Sequence, residues 1–524
     1  MQENSLVEYG SRRVIITITV ILCALLEIVD TTIVNVALND MKGNMGATLT
    51  EIGWVITAYA IGNVIIVPMT SWLSQQFGRR NYFMTSILIF TICSFLCGNA
   101  TTMMELILFR FLQGVGGGAL LVTSQTIITE SYPIEKRGMA QALYGLGVVV
   151  GPTLGPPLGG YIVDHYGWPY IFYINIPLGI MAAILTLQFI RSPKYGEKKS
   201  FTEIDFLGIL FLAVAVGALQ FVLERGQEDD WFNNQTILFL TIVAFVSGYF
   251  FIWRELTFKN PIVNLRVLRN GNLRVGTVLT FILGFGLYGS TFIIPLYLQN
   301  NLGWSAQQAG MIMVPSSLAT ACMMPVIGFL LQKGIKHQYI AATGLFLFFV
   351  YSLWGHSILT PFTGEMHFFW MLMLRGFALS MLFIPITTLA LSTLKGKEIG
   401  EGASFTGMTR QLGGSFGIAL ITTFMSCQMM THRTDLITNI TPENPIFQQQ
   451  FHGLIAKFIS SGMTPDIAKQ AALKAMDMSV MGQASILTYM DVFLYIGIMF
   501  LICVPFVLMI RGNKGKVDPA QAMH

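Results

Sequence analysis

Apolar runs of about 20 residues recur along the whole chain, and each is long enough to cross the roughly 30 Å hydrocarbon core of a bilayer as a helix. In lipid, backbone N–H and C=O groups must satisfy one another, so such runs fold as helices. Fourteen spans are expected, near residues 14–38, 52–73, 82–99, 104–126, 139–163, 170–190, 204–223, 237–253, 275–299, 308–331, 338–359, 367–391, 402–426 and 486–510. Only 11% of the 524 residues are charged, against roughly 25% in soluble domains. That leaves too little polar surface for a fold bathed in water. The first run, from Val14, leads straight into further spans and reads as a span, not as a cleavable signal.

Lys and Arg alternate between loops. One set of connections holds Arg12, Arg13, Arg79, Arg80, Lys136, Arg137, Arg191, Lys194, Lys198, Lys199, Arg254, Lys259, Arg266, Arg269 and Arg274. It continues with Lys333, Lys336, Lys395, Lys397, Arg511, Lys514 and Lys516, whereas the short loops of the other set hold only Lys42 and Arg225. Positive charge marks the cytoplasmic side, so both termini are expected there and the span count must be even. The six cysteines form no metal-ligand pattern. There is no G-x-x-x-x-G-K-[ST] loop, no nucleophile–base motif and no zinc spacing. ATP-driven transport and enzyme chemistry are disfavoured, and no metal or cofactor is expected.

The two halves echo one another. The run L-I-L-F-R-F-L-Q-G in the fourth span, around Arg110, has a counterpart in M-L-M-L-R-G-F-A-L in the twelfth, around Arg375. Each is followed by a proline (Pro133, Pro385), a basic loop and a Gly-rich span. Parallel halves of six spans, with the substrate site between them near the midplane, are an established plan for membrane transporters. The expected organisation is a six-helix bundle over 1–193, two inserted spans over 194–260 and a second bundle over 261–524. The last includes a long external segment, 427–485, with helical stretches at 447–459 and 466–478 and apolar Phe451, Leu454, Ile455 and Phe458 on one side. It reads equally as a lid or as a solvated hairpin.

Ionisable groups at membrane depth are costly and mark function by default. Glu27 and Asp30 sit one turn apart in the first span and share a broad face with Thr31, Val34 and Asn35. Two carboxylates this close in a low dielectric resist being ionised together, which suits proton loading. Arg110, beside Gln113, is the natural counter-charge, although a purely structural bridge fits the same residues. Arg410 reads as a cavity counter-charge or as a side chain snorkelling to the basic side, and Asp491 reads as interfacial. Asn35, Tyr59, Asn63, Gln113, Asn175 and Arg410 are the candidate substrate-cavity contacts. In the fifth span, Gly147, Gly151, Gly155 and Gly159 recur every four residues as one bare ridge, interleaved with Pro152, Pro156 and Pro157. The ridge admits a neighbouring helix closely, and the prolines suit a span that flexes between states.

Together these motifs resemble the fourteen-span drug:proton antiporters of the major facilitator superfamily. D-T-T-I-V-N-V-A-L is similar to the family's first-span motif, R-F-L-Q-G to its fourth-span motif, and the Gly151–Pro152 run to its antiporter motif. The resemblance implies a proton-relay role for Asp30 and Arg110, proton or substrate handling for Asn35, and export. The loop S-W-L-S-Q-Q-F-G-R-R departs from the pattern. It keeps Gly78, Arg79 and Arg80 but has Ser71 and Gln75 where the superfamily usually has Gly and Asp, weakening the expected cytoplasmic charge latch. Within the family, L-Q-F-V-L-E-R-G-Q-E-D-D-W-F and the long external segment resemble the Emr-type exporter subunits. That implies a bacterial inner membrane, a periplasmic adaptor (a membrane fusion protein of the EmrA kind) and an outer-membrane channel of the TolC kind. The expectation is proton-coupled export of hydrophobic or amphipathic compounds by alternating access. Export of one metabolite, such as a siderophore or fatty acid, and a non-transporting sensor or scaffold stand as alternatives.

Overall fold

A computed structural model describes residues 6–193, 205–258, 261–438, 440–441 and 443–509. Lys194, Lys198, Lys199, Lys259, Arg511, Lys514 and Lys516 of the basic set lie outside them. The described residues form helices and no strand. Fourteen helices have the length and composition to cross a membrane. Spans 1 to 6 are Gly10–Leu38, Glu51–Phe77, Arg79–Gly98, Met103–Ser131, Ile134–Tyr166 and Tyr170–Phe189. Spans 7 and 8 are Phe206–Arg225 and Gln235–Thr257, and spans 9 to 12 are Gly271–Leu302, Gln307–Gln332, His337–Ile358 and Glu365–Leu391. Spans 13 and 14 are Lys397–Ile437 and Pro465–Met509. Local chemistry sets several starts. Thr48 with Glu51, and Thr102 with Glu105, form reciprocal capping boxes at the heads of spans 2 and 4.

Neighbour relations repeat between halves. Span 1 packs on 5, 2 on 4, and 3 on 4 and 6; span 9 packs on 13, 10 on 12, and 11 on 12 and 14. Two pseudo-symmetric six-helix bundles result. They meet along a seam where span 5 lies against spans 10 and 12, and spans 2 and 4 lie against span 13. At the face carrying the basic loops, Arg137 of span 5 donates to the carbonyls of Leu391 (3.1 Å) and Leu394 (3.1 Å) at the end of span 12. Span 8 rests on span 7 and otherwise faces outward, with Phe239, Phe245 and Tyr249 exposed. Span 7 touches both halves. Its Phe221 ring lies 5.2 Å from Trp54 of span 2, and Gln220 donates to Ser415 of span 13 at 2.8 Å.

The segment 427–485 differs from expectation. At about 1.5 Å per residue, the 41- and 45-residue helices of spans 13 and 14 far exceed the hydrocarbon thickness. The expected helix at 447–459 is present as Pro445–Ser460, with Phe451, Leu454, Ile455 and Phe458 half-buried against span 14. The expected separate helix at 466–478 is instead the first part of span 14, because no proline interrupts the chain before the membrane. Arg433–Asp477 (3.0 Å) and His432–Asp491 (2.7 Å) brace the two rods. Asp491, expected at the interface, is thus half-buried in an inter-rod pair.

Candidate functional site

Asp30 is fully buried in the first half, and its oxygens are claimed by three side chains from two spans. Oδ2 accepts from Arg110 Nη1 of span 4 at 2.7 Å. Oδ1 accepts from Gln113 Nε2 (2.9 Å), one turn along span 4, and from Asn175 Nδ2 (2.7 Å) at the head of span 6. The i, i+3 spacing of Arg110 and Gln113 puts both on one face of their helix, where Gln113 Oε1 in turn accepts from Arg110 at 2.7 Å. Ser94 of span 3 closes the cluster, accepting from Gln113 Nε2 at 2.7 Å. Arg110 has other partners at hand: the Val55 carbonyl at 3.2 Å and the Tyr59 ring 4.2 Å below its guanidinium. A buried guanidinium with a carbonyl and a ring to fall back on can lose its carboxylate partner without being stranded. Asp30, Arg110, Gln113 and Asn175 therefore form one unit; Ser94 and Val55 escaped sequence reasoning because neither carries charge or motif.

Glu27 takes a different direction. One turn of helix places it about 60° around span 1 from Asp30, so the shared broad face divides between two neighbours. Its Oε1 accepts from Asn63 Nδ2 of span 2 at 2.7 Å. Gly117 of span 4 makes the room, because a Cβ there would meet the Tyr59 hydroxyl at 2.6 Å and Glu27 Cγ at 3.2 Å. Glu27 also interacts electrostatically with Arg410 of span 13, across the seam. Arg410 is 2% exposed and lies under the Phe383 ring, 5.7 Å from its centroid, beside Tyr144. Of its two expected placements, snorkelling fails. Gly284 lets spans 9 and 13 approach backbone to backbone at this level, since a Cβ there would run into the Arg410 carbonyl.

Exposure along span 1 rises from buried Glu27 through half-buried Thr31 to exposed Asn35. Asn35 stands eight residues, about 12 Å, beyond Glu27. It points between the direction of Asn63 (span 2) and that of Thr32, which faces Gly155 (span 5). Asn35 therefore lies on the side of span 1 between spans 2 and 5. The glycine ridge of span 5 packs on span 1: Gly147 meets Ala24, Gly151 meets Ile28, Gly155 meets Thr32 and Gly159 meets Ile33. Pro156 and Pro157, on another side of span 5, press against Gly310 at the start of span 10 in the second half. Pro152 is buried within the same continuous helix, Arg137–Tyr166.

Among the described residues the second half has no counterpart of the acid. Arg375 occupies the position repeated from Arg110, but its partners are hydroxyls: Ser290 (2.9 Å), Ser316 (3.0 Å) and Thr291 (2.5 Å). At the basic face, Arg79 makes a bidentate, buried ion pair with Glu130 of span 4, while Gln75 donates to Ser71 Oγ at 3.3 Å. That side thus keeps one charge pair despite its altered loop. Sequence reasoning also missed Glu224 at the end of span 7, which accepts from Gln220 at 2.9 Å beside the Ser415 contact. The L-E-R-G-Q-E-D-D run disguised it as a loop charge.

The family model described as Major Facilitator Superfamily matches residues 20–418. The chain belongs to the major facilitator superfamily. It is a membrane transporter of that superfamily and not an enzyme. Escherichia coli K12 "Multidrug export protein EmrB" is 34% identical over 457 residues, 87% of this chain and 88% of that one. "Fatty acid resistance protein FarB" of Neisseria gonorrhoeae is 34% identical over 498 residues, covering 94% and 95%. "Colistin resistance protein EmrB" of Acinetobacter baumannii is 28% identical over 492 residues, covering 93% and 94%. The solved proton:xylose symporter XylE shares the fold, with a TM-score of 0.57, 13% identity and coverage of 94% of this chain and 96% of that one. The two-bundle architecture is thus a superfamily property, and the Asp30 cluster is set inside one bundle of it.

Proposed function

We propose that this transporter exports hydrophobic and amphipathic compounds in exchange for protons, by alternating access between its two six-span halves. The observation that carries the reading is the Asp30–Arg110 unit, an acid–base pair buried in one half and replaced by hydroxyls around Arg375 in the other. A proton arriving from outside neutralises Asp30, weakening its hold on Arg110, which then rests on the Val55 carbonyl and the Tyr59 ring. Loss of the proton to the inside restores the pair. Glu27 extends the same logic across the seam, because its charge acts on Arg410 of the opposite half. The glycine ridge keeps spans 1 and 5 moving as one body, while the Pro156–Pro157 contact with Gly310 is where the halves rock.

Substrate would meet Asn35, Tyr59, Asn63 and Arg410 from the seam, whereas Gln113 and Asn175, expected beside them, stay engaged with Asp30 inside the first bundle. The seam residues offer few fixed charges, which suits apolar and amphipathic cargo. The relatives named for multidrug export and colistin resistance favour a broad range. The basic face is cytoplasmic by the positive-inside rule, which puts both termini inside and the long rods of spans 13 and 14 in the periplasm of a bacterial inner membrane. There the rods would meet an adaptor and an outer-membrane channel, completing a tripartite pump. The proton gradient drives the cycle without a cofactor.

The deciding experiment uses proteoliposomes, a fluorescent lipophilic dye and an imposed pH gradient. Wild type is expected to move dye with the gradient, and Asp30→Asn to lose that movement at least about tenfold while still binding dye. A wild type that moves no dye ends the multidrug reading. Movement that survives in Asp30→Asn transfers the proton to Glu27. Retained function in a mutant lacking all gradient dependence would favour a scaffold. The relative named for fatty acid resistance, at 34% identity over 94% of the chain, supports a second reading: export of one amphipathic acid. Growth inhibition of a deletion strain across a compound panel separates the two.

A further inference from the structure

On the cytoplasmic side, where the halves meet, a cavity of about 210 Å³ opens between spans 2 and 4 of the first half and the start of span 13 of the second. Among the described residues its lining includes Ser71, Gln75, Arg79, Thr123, Thr126 and Lys397, and no carboxylate. Three independent features make it a place for an anion. Span 13 begins there at Lys397 behind Gly396, which offers no side-chain cap, and its first-turn acid, Glu398, is exposed and outside the lining, so the positive end of a 41-residue helix stands at the cavity. Thr123, 2% exposed and part of the lining, has a hydroxyl with no hydrogen-bond partner. A buried hydroxyl left unmatched costs free energy that a ligand recovers. Lys397 supplies a half-exposed ammonium whose own pairing, to Glu401, is long at 3.8 Å.

The remaining charges nearby are accounted for. Glu130 is engaged by both guanidinium nitrogens of Arg79. Glu401 accepts from Asn264 at 3.0 Å, and Glu398, in the first turn of span 13, is exposed. Gln75, where a carboxylate would face this helix start, brings an amide instead and donates it to Ser71. The described residues keep the space and the positive helix end, and place no carboxylate in the lining.

We propose that this cavity binds a phosphate group, either as a free phosphate or as the headgroup of a phosphomonoester lipid. Hydroxyls of spans 2 and 4 hold it from one half, and Lys397 with the span 13 N-terminus from the other. The halves are close at this point, since a Cβ on Gly400 would meet Ser71 Oγ at 2.9 Å. A ligand touching both halves only when they are close binds that state more tightly, and so holds the cytoplasmic side shut. The site regulates the transport cycle and does not depend on which group carries the coupled proton.

The test uses the full chain, purified in detergent, with inorganic phosphate titrated against chloride at constant ionic strength while thermal unfolding is followed. A parallel arm places the protein in phosphatidylcholine nanodiscs with and without phosphatidic acid. Protection by phosphate is expected, weakened about tenfold in Lys397→Gln and in Thr123→Val, on the scale of one charge-assisted hydrogen bond. Gln75→Asp supplies an internal carboxylate; it is expected to unfold at a higher temperature without phosphate and to lose the phosphate response. Protection by phosphatidic acid alone, also erased by Gln75→Asp, assigns the site to a lipid headgroup. Protection equal in all four proteins means an adventitious ion only and overturns the proposal, as does the absence of protection in both arms.

Discussion

Replacing Arg110 with alanine is expected to destabilise the protein by about 3–5 kcal/mol, the usual cost of stripping one partner from a buried ion pair. Asp30 would keep Gln113 and Asn175 as donors, but two neutral amides do not compensate a carboxylate at zero exposure. Unfolding in mild detergent, followed by tryptophan emission, measures the loss. The double variant Asp30→Asn/Arg110→Ala should recover much of the stability without recovering gradient-driven transport. A double variant as unstable as Arg110→Ala would mean that the arginine acts through Val55 and Tyr59 packing and not through its charge partner. Arg375→Ala should cost less: it leaves three hydroxyls, which water can satisfy, and no unpaired charge.

Gly155→Val is the second large effect. A Cβ there meets the Thr32 hydroxyl, Thr32 Cβ at 2.8 Å and the Ile33 amide nitrogen at 3.0 Å, so backbone has to move. Overpacking of this kind costs about 1–3 kcal/mol, and more where the neighbour is main chain. Expression and thermal unfolding should both fall. Gly43→Ala, near the end of the first helix (Gly10–Met45) and with nothing within 4 Å of its Cβ, should instead be neutral or stabilising by up to about 1 kcal/mol. Gly310→Ala separates packing from motion. Its Cβ would press on Pro157 at 2.6 Å across the seam, so transport should fall more than stability does. If Gly310→Ala transports normally, the Pro156–Pro157 contact is not where the halves rock.

Much of the fold was legible along the chain. A span has to be apolar for about 20 residues whatever it packs against, so all fourteen could be counted before any contact was known. The i, i+4 glycine ridge was equally readable, because a bare helix face implies a close neighbour. Which neighbour was not readable: spacing could not say that Gly155 meets Thr32 while Pro157, two residues on, meets the other half. The extent of spans 13 and 14 was also hidden. Their outer turns are polar, and hydropathy stops where the helix does not.

For the candidate site, the chain announced its costly residues. Glu27, Asp30, Arg110 and Arg410 stand out because a charge in an apolar run requires a partner. Partner choice was decided only in three dimensions. Glu27 and Asp30 look like one pair along the sequence, yet 60° of helix rotation sends the first to Asn63 and toward Arg410, and the second to Arg110. Arg110 and Arg375 look alike in their repeats, yet only one finds a carboxylate. Periodicity and transfer free energy are properties of a segment, so sequence alone determined the spans, their number and the residues too polar to be idle. Ion pairing and orphaned groups such as the Thr123 hydroxyl depend on which distant segments arrive within about 3 Å, and only the tertiary structure decides that.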